Sequence, residues 1–469
     1  MDQFDVVVVG SGAIALSVAC WLHRLAPECS VARVGPTRDS GNASRAAGAM
    51  LGNYGEVSTA GMPHPALSAK LRMGNEATAL WPEWLDGLAQ HVEPALAPAI
   101  RRGTYIILNP RSGQLDDLNY AAIRSTLVHN AEPFEDVDPR EIASLRPVES
   151  QRPLRALYLP KEGSVDSARV LNALDAALAH APTHRQVDAL ATRLECDGNG
   201  RNRVRLSSGK TLHAKEVVLA GGASSQALID TIPELAARVP RLFSGVGCSL
   251  LLENKAGFSA VIRTPNRAFA CGLHTVTRDD GTLYLGATNR IQIDPQFQPS
   301  VSDVAYLLQG ASEQLNQRLR AAHILDIRVG NRPVTVDTFP LIGPTQCAGI
   351  HLATGTYRSG FHLAPVIGKQ VACAVLKRTD DPPLSFFLPE RPPISTFTRD
   401  QAIELATHHA LAYAFERGFG PPVSQNWQEQ FEAMTRDRVH KAYHSLEADF
   451  VPPPDFLDLI EAGGLKARA

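Results

Sequence analysis

The chain has 469 residues, 44% of them hydrophobic and 20% charged, with a formal net charge of -2. That length holds about two or three domains with full cores, and the apolar content excludes a disordered, collagen-like or small disulfide-stapled chain. The near-neutral charge argues against a nucleic-acid binder, which normally carries a basic excess.

Seven widely spaced cysteines without a CxxC pair point to a reducing compartment. Neither a disulfide framework nor a metal site is expected. No run of ~18 apolar residues occurs, so no membrane span is expected. The chain enters its first strand without a basic-then-apolar leader, so the expected location is cytoplasmic, without a signal peptide.

Phe4 to Val9 reads as a buried parallel strand, β-branched and apolar on both faces. Gly10-Ser11-Gly12-Ala13-Ile14-Ala15 follows and opens an apolar helix that runs to Leu25. This is a GxGxxA pattern between a strand and a helix. Gly10 permits the tight turn, Gly12 lets a pyrophosphate approach the backbone, and Ala15 keeps helix and strand close. The free N–H groups and positive end of the helix suit phosphate oxygens. Dinucleotide binding through this segment, Ala13 and Ile14 included, is the reading. The second strand, Val31–Val34, ends on Gly35, where an acidic residue normally meets the ribose hydroxyls. Asp39 is a candidate replacement from the loop. Weaker or water-mediated ribose contacts are preferred over a changed cofactor.

Residues 42–52 are small and suit a loop passing a flat ring, yet Met50 and Leu51 are too apolar for a solvated one. An amphipathic helix is expected over 66–91, a strand over 100–108 and a helix over 165–181. A small meander is expected over 204–206, 211–213 and 216–219, ending in Ala220-Gly221-Gly222, a strand end open to a ligand. Residues 241–293 read as strand-rich, 301–322 as a helix and 327–341 as irregular and extended. A strand over 349–353, a glycine-framed turn over 355–360 and a helix over 364–377 follow. Pro382, Pro383, Pro389, Pro392 and Pro393 mark a linker, with helical stretches expected over 398–417 and 425–446.

Four blocks in order carry a family resemblance. They are GSGAIA from Gly10, SRAAGAML from Ser44, VVLAGGASS from Val217, and NRPVTVDTFPLIGPT from Asn331 with HLATGTYRSGFHLAP from His351. Over residues 1–378 the chain resembles the FAD-dependent amino acid oxidase superfamily, most closely its glycine oxidase and sarcosine oxidase-like branch. The resemblance implies an α/β fold of two lobes. A Rossmann-type FAD-binding lobe is assigned to 1–84, 156–232 and 323–378. A substrate lobe with a mixed antiparallel sheet is assigned to 85–155 and 233–322. Residues 379–469 form a Pro-rich linker and helical C-terminal extension, expected to cap the FAD lobe.

The resemblance also implies the site. Gly35, Ser44, Arg45, Ala47, Gly48, Met50, Leu51, Val187, Ala220, Gly221, Gly222, Gly355, Ser359, Gly360 and Phe361 are expected at the cofactor, with Arg332 and Arg358. Arg332 is the implied receptor of the substrate carboxylate; the alternative is a structural ion pair with Asp337. Arg358 is implied at the flavin edge, where a cation steadies negative charge on the reduced ring; the alternative is a solvated arginine. Asn53, Tyr54, Glu56, His274 and His362 are candidates to face the pocket, with Tyr54 and His274 counted as catalytic candidates. Glycine oxidase-like enzymes carry a tyrosine on a substrate-lobe strand. Here Ala270 or Cys271 is expected at that place, implying a larger pocket and a substrate other than glycine.

FAD is expected to be non-covalent, because Cys347 stands in an unlike context and Arg45 replaces the histidine that some relatives use. The implied activity is oxidation of the C–N bond of a small amino acid or N-substituted amino acid. Hydride passes to flavin N5, an imine forms, and O2 gives H2O2. The alternatives are a dehydrogenase with another acceptor, and a homo- or hetero-oligomeric flavoprotein docked through the extension.

Overall fold

The computed structural model describes residues 3–36, 41–59, 61–196, 201–378, 385–420, 424–446 and 449–465. Asp39, Pro382 and Pro383 lie outside them.

The first sheet runs in the order Leu341–Pro344, Ile350–Thr354, Thr211–Leu219, Gln3–Val9, Val31–Val34, His184–Val187. All neighbours are parallel except the first pair. The first strand is apolar on both faces because both are covered. Val6 and Val8 join the core under the helices Ala13–Leu25, Pro65–Ala89, Ser167–Ala179 and Gly360–Val375. Val7 and Val9 join a second core under the Ala191–Leu206 ribbon and the segment around Leu228 to Val239. Alternation along one strand thus feeds two cores.

The second sheet is mixed. Ile324–Thr335 pairs antiparallel with Leu242–Glu253 over its length, followed by Thr282–Gly286, His274–Thr277 and Val261–Arg263. The path continues through Arg101–Leu108 and Arg155–Ser164 to Met50–Leu51.

Several expectations need correction. Residues 327–341 are irregular only over 336–340: Ile324–Thr335 is one long strand. Gly330 is small there because a Cβ would lie 2.9 Å from the Ala46 Cβ. The expected pieces 211–213 and 216–219 form one strand, Thr211–Leu219. Its early part pairs antiparallel with Asn202–Leu206 and its later part parallel with Ile350–Thr354. The helix expected over 301–322 is α-helical over Val301–Gly310, loosens to a π turn over Ala311–Leu315 and, after a break at Asn316, ends in a 3-10 turn over Gln317–Ala321. The helix near the C-terminal glycine turn begins at Gly360, four residues earlier than expected, and carries Pro365 as its sixth residue, where the bond to the Phe361 carbonyl is given up. Strands Arg155–Ser164 and Ile324–Thr335, placed in the cofactor lobe by the expected boundaries, lie in the second sheet.

Helices Arg399–Glu416 and Gln425–His444 form as expected, but they cap a different surface. Their core includes Phe243, Phe269, Ile291, Val334, Val336 and Tyr357, so the extension packs on the second sheet and the turn beside it. Arg391 of the linker pairs with buried Asp337. No helix among the described residues is long and apolar enough to cross a membrane.

Candidate active site

A groove lined from both sheets begins at the C-terminal end of Gln3–Val9. Gly10 has φ +144°, and a Cβ there would lie 2.3 Å from the Ala220 carbonyl oxygen, so the turn admits no side chain. The next helix has no acidic residue in its first turn. Ala13 N donates to Ser44 Oγ at 3.0 Å, Ser44 N donates to Asn42 Oδ1 at 2.9 Å, and Asn42 Nδ2 donates to Ser11 Oγ at 3.3 Å. A rim of small and neutral polar groups thus surrounds a positive helix end, which fits a pyrophosphate. Gly35 is also explained. A Cβ there would lie 3.0 Å from the Gly10 carbonyl carbon and 3.1 Å from the Ser11 Cβ, so any side chain would crowd the glycine turn. Gln186 Nε2 donates to the Gly35 oxygen at 2.8 Å, while its buried Oε1 has no partner among the described residues.

The middle of the groove is lined by Ala46 to Met50 and by the ring of Tyr284. Tyr284 donates to the Ala46 oxygen at 3.2 Å, and its ring would lie 2.8 Å from a Cβ at Gly48. The short pairing of Met50–Leu51 with Gly163–Ser164 sets the alternation: Met50 faces the groove and Leu51 enters the helical core.

The far end carries the charge. Glu56 accepts from Arg263 Nη1 and from Arg358 Nε, the latter at 3.1 Å. Burial alone would raise the Glu56 carboxyl, but Arg263 and Arg358 outweigh it and hold it at about 2. Arg263 also donates to Asn266 Oδ1 at 2.9 Å. Arg332 Nη1 donates to the Thr288 oxygen and to Asn289 Oδ1, both at 3.1 Å. It has no carboxylate partner among the described residues, and Asp337, its alternative partner, is held by Arg391. His274 Nδ1 lies 3.0 Å from the Gly272 oxygen, so Nδ1 carries the proton and Nε2 is left as an acceptor. Burial first, then Arg263, lowers His274 to about 4, so it is neutral at physiological pH.

Of the expected site residues, Gly10, Gly12, Ile14, Gly35, Ser44, Ala47, Gly48, Met50 and Ala220 to Gly222 line the groove. So do Glu56, Cys271, His274, Arg332, Arg358, Ser359, Gly360, Phe361 and His362. Ala13, Ala15, Arg45, Leu51, Val187 and Gly355 do not. Ala15 is core, closing the Gly10 turn against the helix. Gly355, at φ +72°, makes the turn that Thr354 and Thr356 flank. Tyr54 turns away into a core with Ile106, Leu108 and Tyr120, and its hydroxyl accepts from Asn75 at 3.2 Å. Asn53 turns toward the helix Pro65–Ala89, donating to the Leu71 oxygen. The cause is Glu162, whose Oε1 accepts the N–H groups of Asn53, Tyr54 and Gly55 at 2.7, 2.6 and 3.1 Å. That grip twists the segment so that Glu56, not Tyr54, enters the groove. His362 is tied by Thr78 and the Gly52 carbonyl, a structural role. The strand position expected at Ala270 or Cys271 is a turn; the strand begins at His274. Arg263, Asn266 and Tyr284 had no motif to announce them.

The family profile described as DAO, FAD dependent oxidoreductase, matches residues 5–374. The chain is 27% identical over 397 residues to a glycine oxidase of Geobacillus kaustophilus, covering 80% of this chain and 94% of that protein. It is 26% identical over 393 residues to a bifunctional protein ThiO/ThiG of Synechocystis, covering 82% of this chain and 54% of that protein, so it spans about half of that relative's length. Its fold superposes on the crystal structure of the G. kaustophilus glycine oxidase with a TM-score of 0.71 at 22% identity, covering 84% of this chain and 100% of that one.

Proposed function

The chain belongs to the DAO family of FAD-dependent oxidoreductases, and on that premise we propose that it oxidises the C–N bond of an amino acid or N-substituted amino acid. The product is an imine, and O2 is reduced to H2O2. The observation that carries the reading is Arg332, a guanidinium at the end of the groove held by two neutral acceptors and lacking a carboxylate partner among the described residues. Its remaining N–H groups form the planar fork that a carboxylate matches. FAD, when bound, supplies the two-electron acceptor. Gly10, Gly12 and Ser44 would hold its pyrophosphate, and the Ala46–Met50 segment with Tyr284 its ring. Among the described residues, three guanidiniums, Arg263, Arg332 and Arg358, and a single carboxylate, Glu56, line this part of the groove, and only Arg263 and Arg358 are paired with that carboxylate. The cationic excess suits the substrate carboxylate and the negative charge that builds on the ring. Neutral His274 leaves an acceptor nitrogen suited to a substrate N–H.

Two finer readings belong to the same proposal. The place expected to hold a tyrosine is a turn ending in Cys271, which supports a substrate larger than glycine. FAD is held non-covalently: Cys347 packs against the far core of the first sheet, with Arg238 donating toward its sulfur at 3.9 Å.

The test is an anaerobic visible spectrum of the purified flavoprotein, before and after a pool of D-, L- and N-methyl amino acids. Bleaching of the oxidised flavin, then H2O2 on admitting air, is expected. Bleaching without peroxide would make the enzyme a dehydrogenase. A flavin that no pool member bleaches would refute amino acid oxidation.

A further inference from the structure

The C-terminal extension lies beyond residue 374, where the family match ends. Three of its side chains nevertheless contact Tyr357 in the groove wall or the turn that leads into it at Cys271. His409 Nδ1 accepts from Phe269 N at 2.9 Å, Glu416 Oε1 accepts from Ala268 N at 3.2 Å, and Asp455 Oδ1 accepts from the Tyr357 hydroxyl at 2.9 Å. Both backbone contacts fall on the turn that leads to Cys271. Tyr357 precedes Arg358 and has φ +50°, so its backbone needs outside support.

These contacts converge on Asn289. Its Nδ2 donates to the Tyr357 hydroxyl oxygen at 2.7 Å and to the Phe269 oxygen at 2.9 Å. Both acceptors are thus tied to the extension, Tyr357 by Asp455 and Phe269 by His409. The Asn289 Oδ1 accepts from Arg332 Nη1. Proton directions are fixed along the chain. A guanidinium can only donate, so the amide oxygen must face Arg332 and the amide nitrogen must face Tyr357. The tyrosine oxygen then receives an N–H, and its own proton goes to Asp455. Burial raises the Tyr357 hydroxyl well above its ordinary range, and Asp455 adds to it, so that proton stays in place at working pH.

We propose that Asp455, through Tyr357 and Asn289, is a positioning residue for Arg332: the extension sets the orientation of the guanidinium that receives the substrate carboxylate. The inference rests on the carboxylate-receptor reading of Arg332 and adds a part that the family match does not contain. With Asn289 pinned, Nη1 is committed to the protein, and Nε and Nη2 remain as the receiving edge. Without Asp455 the tyrosine proton has no acceptor, Tyr357 can turn it toward Asn289, and the amide loses the orientation that Arg332 requires.

The experiment is an acetate titration of the full-length FAD holoenzyme, read by the perturbation of the flavin absorbance. Acetate is a carboxylate without an amine, so it reports the receptor and not the chemistry. Binding that R332M abolishes is expected in the wild type. D455A and Y357F should each weaken acetate by about fivefold, the effect of one lost hydrogen bond. D455N, which keeps an acceptor oxygen, should return to within about twofold of the wild type. D455A in the Y357F background should be no weaker than Y357F alone, because the link is already cut. That non-additivity separates a relay from mere anchoring of the extension, whose effect would persist in Y357F. Y357F keeps the ring and leaves the extension untouched, so it decides the matter if D455A does not fold. Acetate affinity that falls in R332M but is unchanged in Y357F and D455A overturns the relay alone. Acetate affinity that is the same in R332M and the wild type overturns the receptor role and the relay together.

Discussion

Replacement of Arg332 by Met is the sharpest perturbation of the site. The guanidinium lies against Gly247, where a Cβ would come within 2.1 Å of Nη1, so the opposite strand is shaped around it. Nη1 is occupied by Thr288 and Asn289, which leaves two N–H groups of the fork for a carboxylate. Charge-assisted hydrogen bonds contribute about 1.5–3 kcal/mol each, so losing both should cost about 4 kcal/mol of binding. At 1.4 kcal/mol per decade this is roughly a 10³-fold fall in kcat/KM. Lysine keeps the charge but not the fork, and R332K should lose only ~30-fold. The assay is anaerobic stopped-flow bleaching of the flavin, using the best amino acid substrate and the same amine without its carboxylate. The wild type should prefer the acid by ~10³, and R332M should treat the two alike. If R332M reduces the amino acid within about threefold of the wild-type rate, or still discriminates against the plain amine, the carboxylate lies elsewhere and the assignment is wrong.

Three other outcomes follow from the same geometry. Gly10→Ala forces a Cβ to within 2.3 Å of the Ala220 oxygen at φ +144° and should yield protein with little flavin; a normal flavin-to-protein absorbance ratio would refute the cradle. Tyr54→Phe should leave the bleaching rate within about twofold, since its hydroxyl meets Asn75 away from the groove; a tenfold loss would return Tyr54 to the site. Burial lowers His409 to about 4, so between an unfolded value near 6.5 and that figure the unfolded chain binds a proton the folded one refuses. Its contribution is present above pH 6.5 and lost as pH falls toward 4, about 2 kcal/mol by pH 5. His409→Asn, whose amide oxygen can still accept from Phe269 N, should remove that much of the acid sensitivity, measured by urea unfolding at pH 7.5 and pH 5. An unchanged difference between the two pH values would place the proton uptake elsewhere.

The contrast between what was and was not legible in the sequence is a contrast of range. The Gln3–Val9 strand, the glycine turn and the Ala13–Leu25 helix are encoded by residues next to one another, and periodicity reads them directly. Tyr54 and Glu56 are two residues apart, and nothing local says which of them faces the groove. That choice is made by Glu162, 109 residues beyond Asn53, through three backbone N–H groups. Met50 and Leu51 are separated in the same way, by pairing with Ser164 and Gly163. Ile324–Thr335 reads as irregular because Gly330 and Pro333 interrupt its pattern, yet the Leu242–Glu253 strand supplies a full antiparallel partner. The extension is the extreme case. No residue in it forms a motif, but Asp455 meets Tyr357 and His409 meets Phe269 across 98 and 140 positions of sequence. Both partners hold the one amide that holds Arg332. A helical tail that looks like an appendage in the sequence therefore stands, in the fold, three hydrogen bonds behind the group on which the proposed chemistry depends.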